Sequence, residues 1–217
     1  MNHHYENATY KKINRSRREA ILRLLGDDLV DEVLDIGCGP GYLGEIIAKE
    51  KNVRVSGLEF SSHLCAEAKK RLSEVFCFNL EEPFANWPES IRQKHFKKIV
   101  ISEVLEHLFW PEELLLKLEK ISDEKTDIII TVPNLLFWRN RLKILMGHFE
   151  YEKEGLMDRG HIHFFSWRSL RQLVEKTNFR IIETAHHIPT RGTFLLAKIW
   201  PGLFVYQFIV KLKKNEN

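Results

Sequence analysis

The chain has 217 residues, of which 44% are hydrophobic and 29% are charged, and its formal net charge at pH 7 is +3. This length and composition are typical of a globular protein with one large core, so we expect a single domain over residues 1–217. The basic residues are spread along the chain, which argues against a nucleic-acid partner. No run reaches the roughly 18 unbroken apolar residues that a membrane-spanning helix needs, so we expect no membrane crossing.

The cysteines and the N-terminus both favour a cytoplasmic protein. Cys38, Cys65 and Cys77 are odd in number and lack the spacing of a zinc site, so we expect reduced thiols. The N-terminus shows no combination of a basic start, an apolar run and a cleavage site. Residues 1–12 are polar, and we expect them to be flexible.

Short apolar runs alternate with amphipathic stretches. The spacing of Ala20, Ile21, Leu24 and Leu25 predicts a helix over 15–25 that ends at Gly26. Further helices are predicted over 41–50, 62–74 and 111–122, and strands over 32–37, 53–60, 75–80, 97–104, 127–134, 179–187 and 203–214. Strands that alternate with helices form right-handed βαβ units around a mostly parallel sheet. The predicted fold class is therefore α/β and doubly wound, with seven strands.

Residues 135–165 interrupt this alternation, because they have helical periodicity but no strand. A connection of this length is usually a functional insertion. Its helix has an apolar face with Leu135, Trp138, Leu142 and Leu145 and a polar face with Arg139, Asn140, Arg141 and Lys143. Two interpretations stay open: the helix packs on the core with a solvated basic face, or it also touches a membrane surface or an anionic substrate.

A glycine-rich turn follows the first predicted strand. Gly37, Gly39 and Gly41 allow the backbone to turn tightly and to approach a ligand closely. Such a turn also occurs without a ligand. Glu59 ends the second strand about 20 residues on, where a carboxylate can accept hydrogen bonds from both hydroxyls of a ribose. Asp35, before the first glycine, would repel a phosphate and attract an amine.

Four motifs, in chain order, resemble those of the class I S-adenosylmethionine-dependent methyltransferases: VLDIGCGPG at 33–41, GLEFS at 57–61, NLEEPF at 79–84 and VISEVLEHLFWPEELL at 100–115. The likeness runs from about residue 20 to the end and is strongest to the group of MetW-like and UbiG-like proteins. A nicotinamide-binding Rossmann protein is the competitor, but the acid before the glycines and the EVLEHL motif argue against it. The resemblance implies a Rossmann-like methyltransferase fold, with residues 135–165 as a helical lid on the acceptor side.

The resemblance also implies S-adenosylmethionine as the cofactor and a set of residues that bind it. Asp35 would contact the amino acid moiety directly or through water, and Glu59 would bind the ribose. The remaining expected contacts are the backbone cradle of Gly37, Cys38, Gly39 and Gly41, the adenine edge of Asn79 and Leu80, and the pocket floor at Ser102. Many relatives have Asp where Asn79 stands, but an amide can still bond to adenine.

Glu103, Glu106 and His107 lie within five residues near the end of the fourth predicted strand. Oxygen and nitrogen ligands at this density suit a divalent cation such as Mg²⁺, Mn²⁺ or Zn²⁺. Similar motifs in the ubiquinone-pathway O-methyltransferases and in the small-RNA 2′-O-methyltransferases look like metal sites. In the second family a histidine from a downstream segment joins the site. Many other methyltransferases carry LEHL without a metal, and there Glu106 and His107 only begin and order the next helix.

His161 and His163 lie in the segment DRGHIHFFSW, which corresponds to that downstream segment. Alternate residues of an extended segment face opposite sides. We therefore expect one of them to face the methyl acceptor, as a general base or an added metal ligand, and the other to point away. His107 is the third candidate catalytic residue.

The expected function is O-methylation of a small-molecule acceptor, which the resemblance suggests is quinone-like, a natural product or a cell-surface sugar. One alternative is a MetW-like non-catalytic or regulatory partner protein. Another is a metal-dependent RNA 2′-O-methyltransferase, against which the small net charge argues. Neither the acceptor nor the oligomeric state is indicated, because one fold and one cofactor site serve unrelated substrates.

Overall fold

Seven strands form one sheet. A computed structural model of the chain describes residues 14–28, 30–153, 155–189 and 194–216. Its strands are β1 Glu32–Ile36, β2 Arg54–Glu59, β3 Glu74–Cys77, β4 Lys98–Ser102, β5 Asp127–Pro133, β6 Phe179–Thr184 and β7 Gln207–Lys214. The order across the sheet is β3-β2-β1-β4-β5-β7-β6, and β7 runs antiparallel to both of its neighbours. The doubly wound, mostly parallel fold predicted from the sequence is confirmed.

Helices cover both faces of the sheet. They are α1 Arg15–Leu25, α2 Tyr42–Lys51, α3 Ser62–Ala68, α4 Glu89–Arg92, α5 Pro111–Leu118, α6 Trp138–Leu145, α7 Trp167–Glu175, α8 Phe194–Ile199 and α9 Pro201–Phe204. Local chemistry sets several ends: Ser61 accepts the Leu64 N–H at the start of α3, and Ser166 forms a capping box with Ser169 at α7. Pro111 lies in the first turn of α5, where its missing N–H costs nothing.

Two predicted boundaries differ clearly from the structure. The helix α3 ends at Ala68 rather than near 74, and residues 69–73 form turns that lead into β3. The last strand begins at Gln207 rather than 203, because Pro201 starts the short helix α9 before it. The prediction of a flexible 1–12 segment lies outside the described residues.

Cys65 and Cys77 form a disulfide between α3 and β3. The expectation of three reduced thiols is therefore wrong for this pair, and only Cys38 is a free thiol. The fold explains the pairing, since Cys77 pairs with Glu59 in the sheet register and α3 begins just after β2, so the two Cα atoms lie 5.8 Å apart.

The helix of the insertion packs differently from the prediction on both its apolar and its polar face. Asn140, expected on the polar face, is buried and donates to the Leu135 carbonyl (2.8 Å). Leu142 and Leu145, expected on the packed face, are 46% and 83% exposed. All residues from 141 to 150 are exposed, so α6 leaves the body of the protein after its first turn. Within the described residues, no helix is long and apolar enough to cross a membrane.

Candidate active site

The predicted cofactor residues meet at the carboxyl ends of β1, β2 and β4. The strand order reverses between β1 and β4, and ligands of open α/β sheets bind at such a point. The N–H groups of Gly37 and Cys38 donate to the Leu58 carbonyl (2.8 and 3.0 Å), which ties the loop to β2. Gly37 has a φ of 67°, and a Cβ there would lie 2.4 Å from Val104 Cγ2. Only glycine fits this position.

The Glu59 carboxylate accepts three backbone hydrogen bonds in the site. Its Oε2 accepts the Gly39 N–H (2.9 Å), and its Oε1 accepts the N–H groups of Phe60 (2.9 Å) and Ser61 (2.8 Å). Burial raises the pKa of Glu59, and these backbone hydrogen bonds oppose the rise. The carboxylate thus lies between the glycine loop and the start of α3.

Asp35 is almost fully buried on β1. Burial, together with the nearby Glu59 carboxylate, raises the pKa of Asp35 to about 7, and a hydrogen bond from the Gly44 backbone N–H opposes the rise. A Cβ at Gly44 would lie 3.1 Å from Asp35 Oδ2, so the first turn of α2 leaves room for the carboxylate only because residue 44 is glycine. A buried acid of this kind is a suitable counter-ion for a cationic ligand.

The remaining predicted cofactor residues frame the same region. Asn79 Oδ1 accepts the Glu81 N–H (3.1 Å), and the Leu80 carbonyl accepts Lys117 Nζ (2.9 Å), so this loop after β3 is fixed from both sides. Ser102 Oγ bonds to Thr131 Oγ1 (3.1 Å) at the end of β4. The Cys38 thiol lies against Gly57 in the core, where burial raises its pKa, so its thiolate is suppressed.

A second group of residues forms a candidate cation site. Glu106, His107 and His161 each offer one ligand atom, and these atoms lie within 4.8 Å of one another. Glu106 is fully buried and neither of its oxygens has a hydrogen-bond partner, so burial and the nearby Glu103 raise its pKa well above the usual value. His107 Nδ1 lies 2.9 Å from the Gly160 carbonyl, which fixes this ring and assigns the proton to Nδ1.

Backbone contacts bring the His161 segment to this group. The N–H groups of Ile162 and His163 both donate to the Glu106 carbonyl (2.9 and 3.0 Å), and the rings of His107 and His161 lie 4.8 Å apart. Burial and the neighbouring His107 lower the pKa of His161, so this imidazole is neutral at pH 7.

Two other predicted residues lie apart from this group. His163 Nε2 lies 3.1 Å from the Phe109 carbonyl near the surface, which agrees with the expectation that only one of the two histidines faces the site. Glu103 accepts from Thr131 Oγ1 (2.9 Å) and pairs with Arg17 (3.5 Å). The expected set of Glu103, Glu106 and His107 is thus replaced in space by Glu106, His107 and His161.

Sequence reasoning missed the residues around Glu103. Arg17 of α1 forms an ion pair with Glu103. Burial lowers the pKa of His187 and raises the pKa of Tyr206, and the negative charge of Glu103 acts to raise the pKa of both. The rings of His187 and Tyr206 lie 5.8 Å apart. The only sequence signal was a basic residue on the polar side of the first helix, which by itself is typical of a solvated face.

Comparison with known proteins settles the family. Residues 3–184 match the family model described as a methyltransferase domain. The chain belongs to this methyltransferase family. Class I methyltransferases of this kind take the methyl group from S-adenosylmethionine, so the chain is an S-adenosylmethionine-dependent methyltransferase.

Solved structures share the fold at low sequence identity. An S-adenosylmethionine-dependent methyltransferase from Archaeoglobus fulgidus is 17% identical over 95% of this chain and 96% of its own, with a TM-score of 0.65. The plantazolicin methyltransferase BpumL, solved with S-adenosylhomocysteine, is 18% identical over 98% and 88%, with a TM-score of 0.65. Magnesium protoporphyrin IX methyltransferase from Synechocystis, solved with the same molecule, is 16% identical over 94% and 89%, with a TM-score of 0.63. No curated protein matches the sequence significantly.

The affinity of the methyltransferase for S-adenosylhomocysteine should rise with pH up to about 7 and then level off. The raised pKa of Asp35, about 7, means that the ligand-free protein keeps a proton there that the cofactor's ammonium group must expel. Below that pKa, affinity should increase by up to about tenfold per pH unit. Calorimetric titration between about pH 5.5 and 8 measures this dependence.

Asp35→Asn should remove the pH dependence and bind more weakly above pH 7, while Asp31→Asn, at an exposed position just before β1, serves as the matched control. The unfolded chain releases the Asp35 proton at lower pH, so the free energy of unfolding of the ligand-free protein should fall as pH rises from about 4 to 7. An unchanged pH profile in Asp35→Asn would remove this residue from cofactor binding.

Proposed function

We propose that this methyltransferase transfers the methyl group of S-adenosylmethionine to an oxygen of a small-molecule acceptor, of the quinone-like, natural-product or cell-surface sugar classes. The observation that carries the proposal is the group of Glu106, His107 and His161, which lies beside the carboxyl end of β4 and thus next to the glycine loop. A hydroxyl is a poor nucleophile until its proton is removed or weakened, and this group offers both a base and a cation site.

The cofactor half of the proposal uses residues of three neighbouring strands. Asp35 of β1 holds the ammonium of the amino acid moiety, and the loop from Gly37 to Gly41 carries the backbone around it. Glu59 of β2 binds the ribose hydroxyls, and the loop of Asn79 and Leu80 borders the adenine. In this arrangement Ser102, at the end of β4, would border the methyl group, and His161 would lie on the acceptor side. Reactants held in line need little further chemistry from the protein.

His161 is the proposed base. Its low pKa leaves the imidazole neutral at pH 7, so it can accept the proton of an acceptor hydroxyl as the methyl group moves. His163 lies against the Phe109 carbonyl instead. Its proposed contribution is to hold the loop before α5, not to touch the acceptor.

The donor set also fits a divalent cation. Glu106 is a buried carboxylate whose two oxygens have no hydrogen-bond partner, and an unpaired buried charge is costly unless a cation neutralises it. With Nδ1 of His107 donating to the Gly160 carbonyl, Nε2 carries the lone pair, which suits a metal ligand. A bound Mg²⁺, Mn²⁺ or Zn²⁺ would polarise the acceptor oxygen and lower the pKa of its hydroxyl. Glu106, His107 and His161 would hold such a cation, and His161 acts as the base only when its lone pair is not bound to that ion.

The acceptor class is supported only in broad terms. One similar fold belongs to a magnesium protoporphyrin IX methyltransferase and another to a plantazolicin methyltransferase, so acceptors on this fold include large conjugated molecules. We place the enzyme in the cytoplasm, where its methyl donor is made. The Cys65–Cys77 disulfide removes the support that the cysteine pattern had offered for this location.

His161→Ala should lower turnover at least a hundredfold while leaving cofactor affinity unchanged, since the lost group acts on the acceptor. His163→Ala is the matched control and should stay within about threefold of wild type, because its ring bonds only to a backbone carbonyl. Methyl transfer from radiolabelled S-adenosylmethionine to a panel of quinols, catechols and nucleotide sugars measures both. Full activity in His161→Ala would exclude the proposed base, and a loss confined to His163→Ala would reverse the assignment.

A MetW-like partner protein is the second candidate function. One structure with this fold is a Haloferax volcanii complex between a putative methyltransferase and the activator Trm112, so the fold does form partner complexes. In that case the purified chain would bind the cofactor without methylating any acceptor, and a stoichiometric enzyme would co-purify with it. RNA methylation is a third and weaker candidate, for which binding of RNA would have to weaken steeply with salt.

A further inference from the structure

Two segments that leave the sheet at the same edge place large apolar side chains in solvent. Six of these side chains are each more than half exposed, namely Leu145, Met146, Phe149, Leu195, Ile199 and Trp200. We call these six residues the apolar rim. Single exposed apolar residues are normal on a protein surface, but a group on two adjoining segments marks an interaction surface.

The sheet register shows that both segments leave the fold at the same edge. Pro133, the last residue of β5, pairs with Gln207, the first residue of β7, so the chain before α6 and the chain after α9 lie side by side. Asn134 Nδ2 donates to the carbonyls of Gly202 (3.2 Å) and Val205 (2.7 Å), which links the two segments directly. This edge is the one that carries the cofactor loops.

The rim is also joined to the acceptor side of the site. The Leu135 N–H donates to the Phe165 carbonyl (3.0 Å), so the insertion begins and ends at one point. His161 lies four residues before Phe165 on the returning part of this segment. An acceptor that arrives along the rim therefore reaches the side of the site where the proposed base lies.

Most of helix α6 is not packed against the rest of the protein. The helix has eight residues, and all of its residues from 141 onward are exposed. A helix this short is marginal in water by itself, because its stability comes from packing an apolar face.

The charges on the rim favour one kind of cover. Arg139, Arg141 and Lys143 lie on α6 and Lys198 on α8, while the acidic residues Glu150 and Glu152 follow on the loop, where Glu152 pairs with Lys143 (2.7 Å). Basic residues among exposed Leu, Ile, Met and Trp side chains match the interface of a bilayer that contains anionic lipid. A second copy packed rim to rim would bring like charges together.

We propose that the apolar rim docks on the surface of an anionic lipid bilayer and thereby presents the active site to an acceptor dissolved in or anchored to that bilayer. This inference rests on the proposed function for the identity of the reaction, but the docking itself does not depend on it. The rim side chains enter the boundary between head groups and acyl chains, and the basic residues of α6 and α8 lie at the phosphates.

Co-sedimentation with vesicles tests the docking. The wild-type chain should sediment with phosphatidylcholine vesicles that contain phosphatidylglycerol, less with phosphatidylcholine alone, and less again at high salt. Leu145→Glu and Leu195→Glu should each weaken vesicle binding about tenfold, because each places a charge where an apolar side chain would enter the bilayer. Both residues are at least 71% exposed in the free protein, so neither substitution threatens folding. Leu116 lies on α5, outside the apolar rim, and its side chain is 39% exposed. Leu116→Glu is therefore the matched control and should bind vesicles as the wild type does.

The outcomes separate docking from catalysis. Absent vesicle binding, or binding that neither rim variant weakens, would overturn the proposal, as would a dimer in light scattering that Leu145→Glu dissociates without lipid. Vesicle binding in a chain that binds no S-adenosylhomocysteine would leave the docking standing and overturn only the proposed function. Cofactor binding without vesicle binding would overturn the docking and leave the proposed function standing.

Discussion

Glu59→Ala should weaken binding of S-adenosylmethionine and S-adenosylhomocysteine at least a hundredfold. A carboxylate that accepts both ribose hydroxyls makes two charge-assisted hydrogen bonds, each worth about 1.5–3 kcal/mol. The substitution also removes the acceptor for the N–H groups of Gly39, Phe60 and Ser61, which loosens the glycine loop. Isothermal titration calorimetry of the purified methyltransferase with both ligands measures the change.

Two further variants sharpen this experiment. Glu59→Gln keeps one oxygen acceptor and should lose affinity by only about tenfold. Glu50→Ala removes an exposed acid at the end of α2 and should bind as wild type, which controls for the change in net charge. Wild-type affinity in Glu59→Ala would place the cofactor elsewhere. A wild-type chain that binds neither ligand would favour a partner protein with a degenerate site.

Glu106→Gln should stabilise the metal-free protein and abolish its response to divalent cations. The buried carboxylate of Glu106 has no hydrogen-bond partner, and burial raises its pKa well above the usual value. Above the unfolded-state pKa, the folded chain holds a proton that the unfolded chain has released. The free energy of unfolding therefore falls as pH rises through the folded-state pKa, by up to about 1.4 kcal/mol per pH unit. The variant should lack this part of the slope.

A bound cation should cancel the same slope, because it favours the ionised carboxylate in the folded state. Denaturant unfolding at several pH values, with chelator or with Mn²⁺ or Zn²⁺, measures both effects. Glu113→Gln, at an exposed position on α5, is the control and should keep the slope and the metal response of the wild type. Equal pH slopes for wild type and Glu106→Gln, with no thermal shift from any cation, would exclude the cation site.

Membership in the methyltransferase family does not identify the acceptor. The glycine loop, Asp35 and Glu59 are the proposed binding residues for a cofactor that enzymes with unrelated acceptors share. The proposed acceptor side contains His161, which comes from the insertion, while Arg17, His187 and Tyr206, from the two ends of the chain, lie near Glu103. Acceptor screening should therefore begin with molecules that partition into a bilayer, where the apolar rim and the site would both be in reach.

The cation site shows how far spacing along the chain can predict a constellation. The motif EVLEHL suggested that Glu103, Glu106 and His107 act together, since they are close in sequence, and the family resemblance added one of His161 and His163. In the structure Glu103 has a φ of 59°, and its carboxylate bonds to Thr131 and pairs with Arg17. His161, distant in sequence, takes the third place through the backbone bonds of its segment to the Glu106 carbonyl. Such long-range contacts leave no periodic trace in a sequence.

The sequence by itself determined the strands and the main helices of this methyltransferase, because periodicity, capping residues and turn glycines act over a few neighbouring residues. The cofactor residues stay a prediction from the family resemblance. The order of strands then followed from the rules of βαβ connection. Only the tertiary structure decided that α6 is uncovered, that Cys65 meets Cys77, and that His161 rather than His163 joins Glu106 and His107. An amphipathic pattern states which side chains avoid water, whereas the surface that covers them depends on contacts between distant parts of the chain.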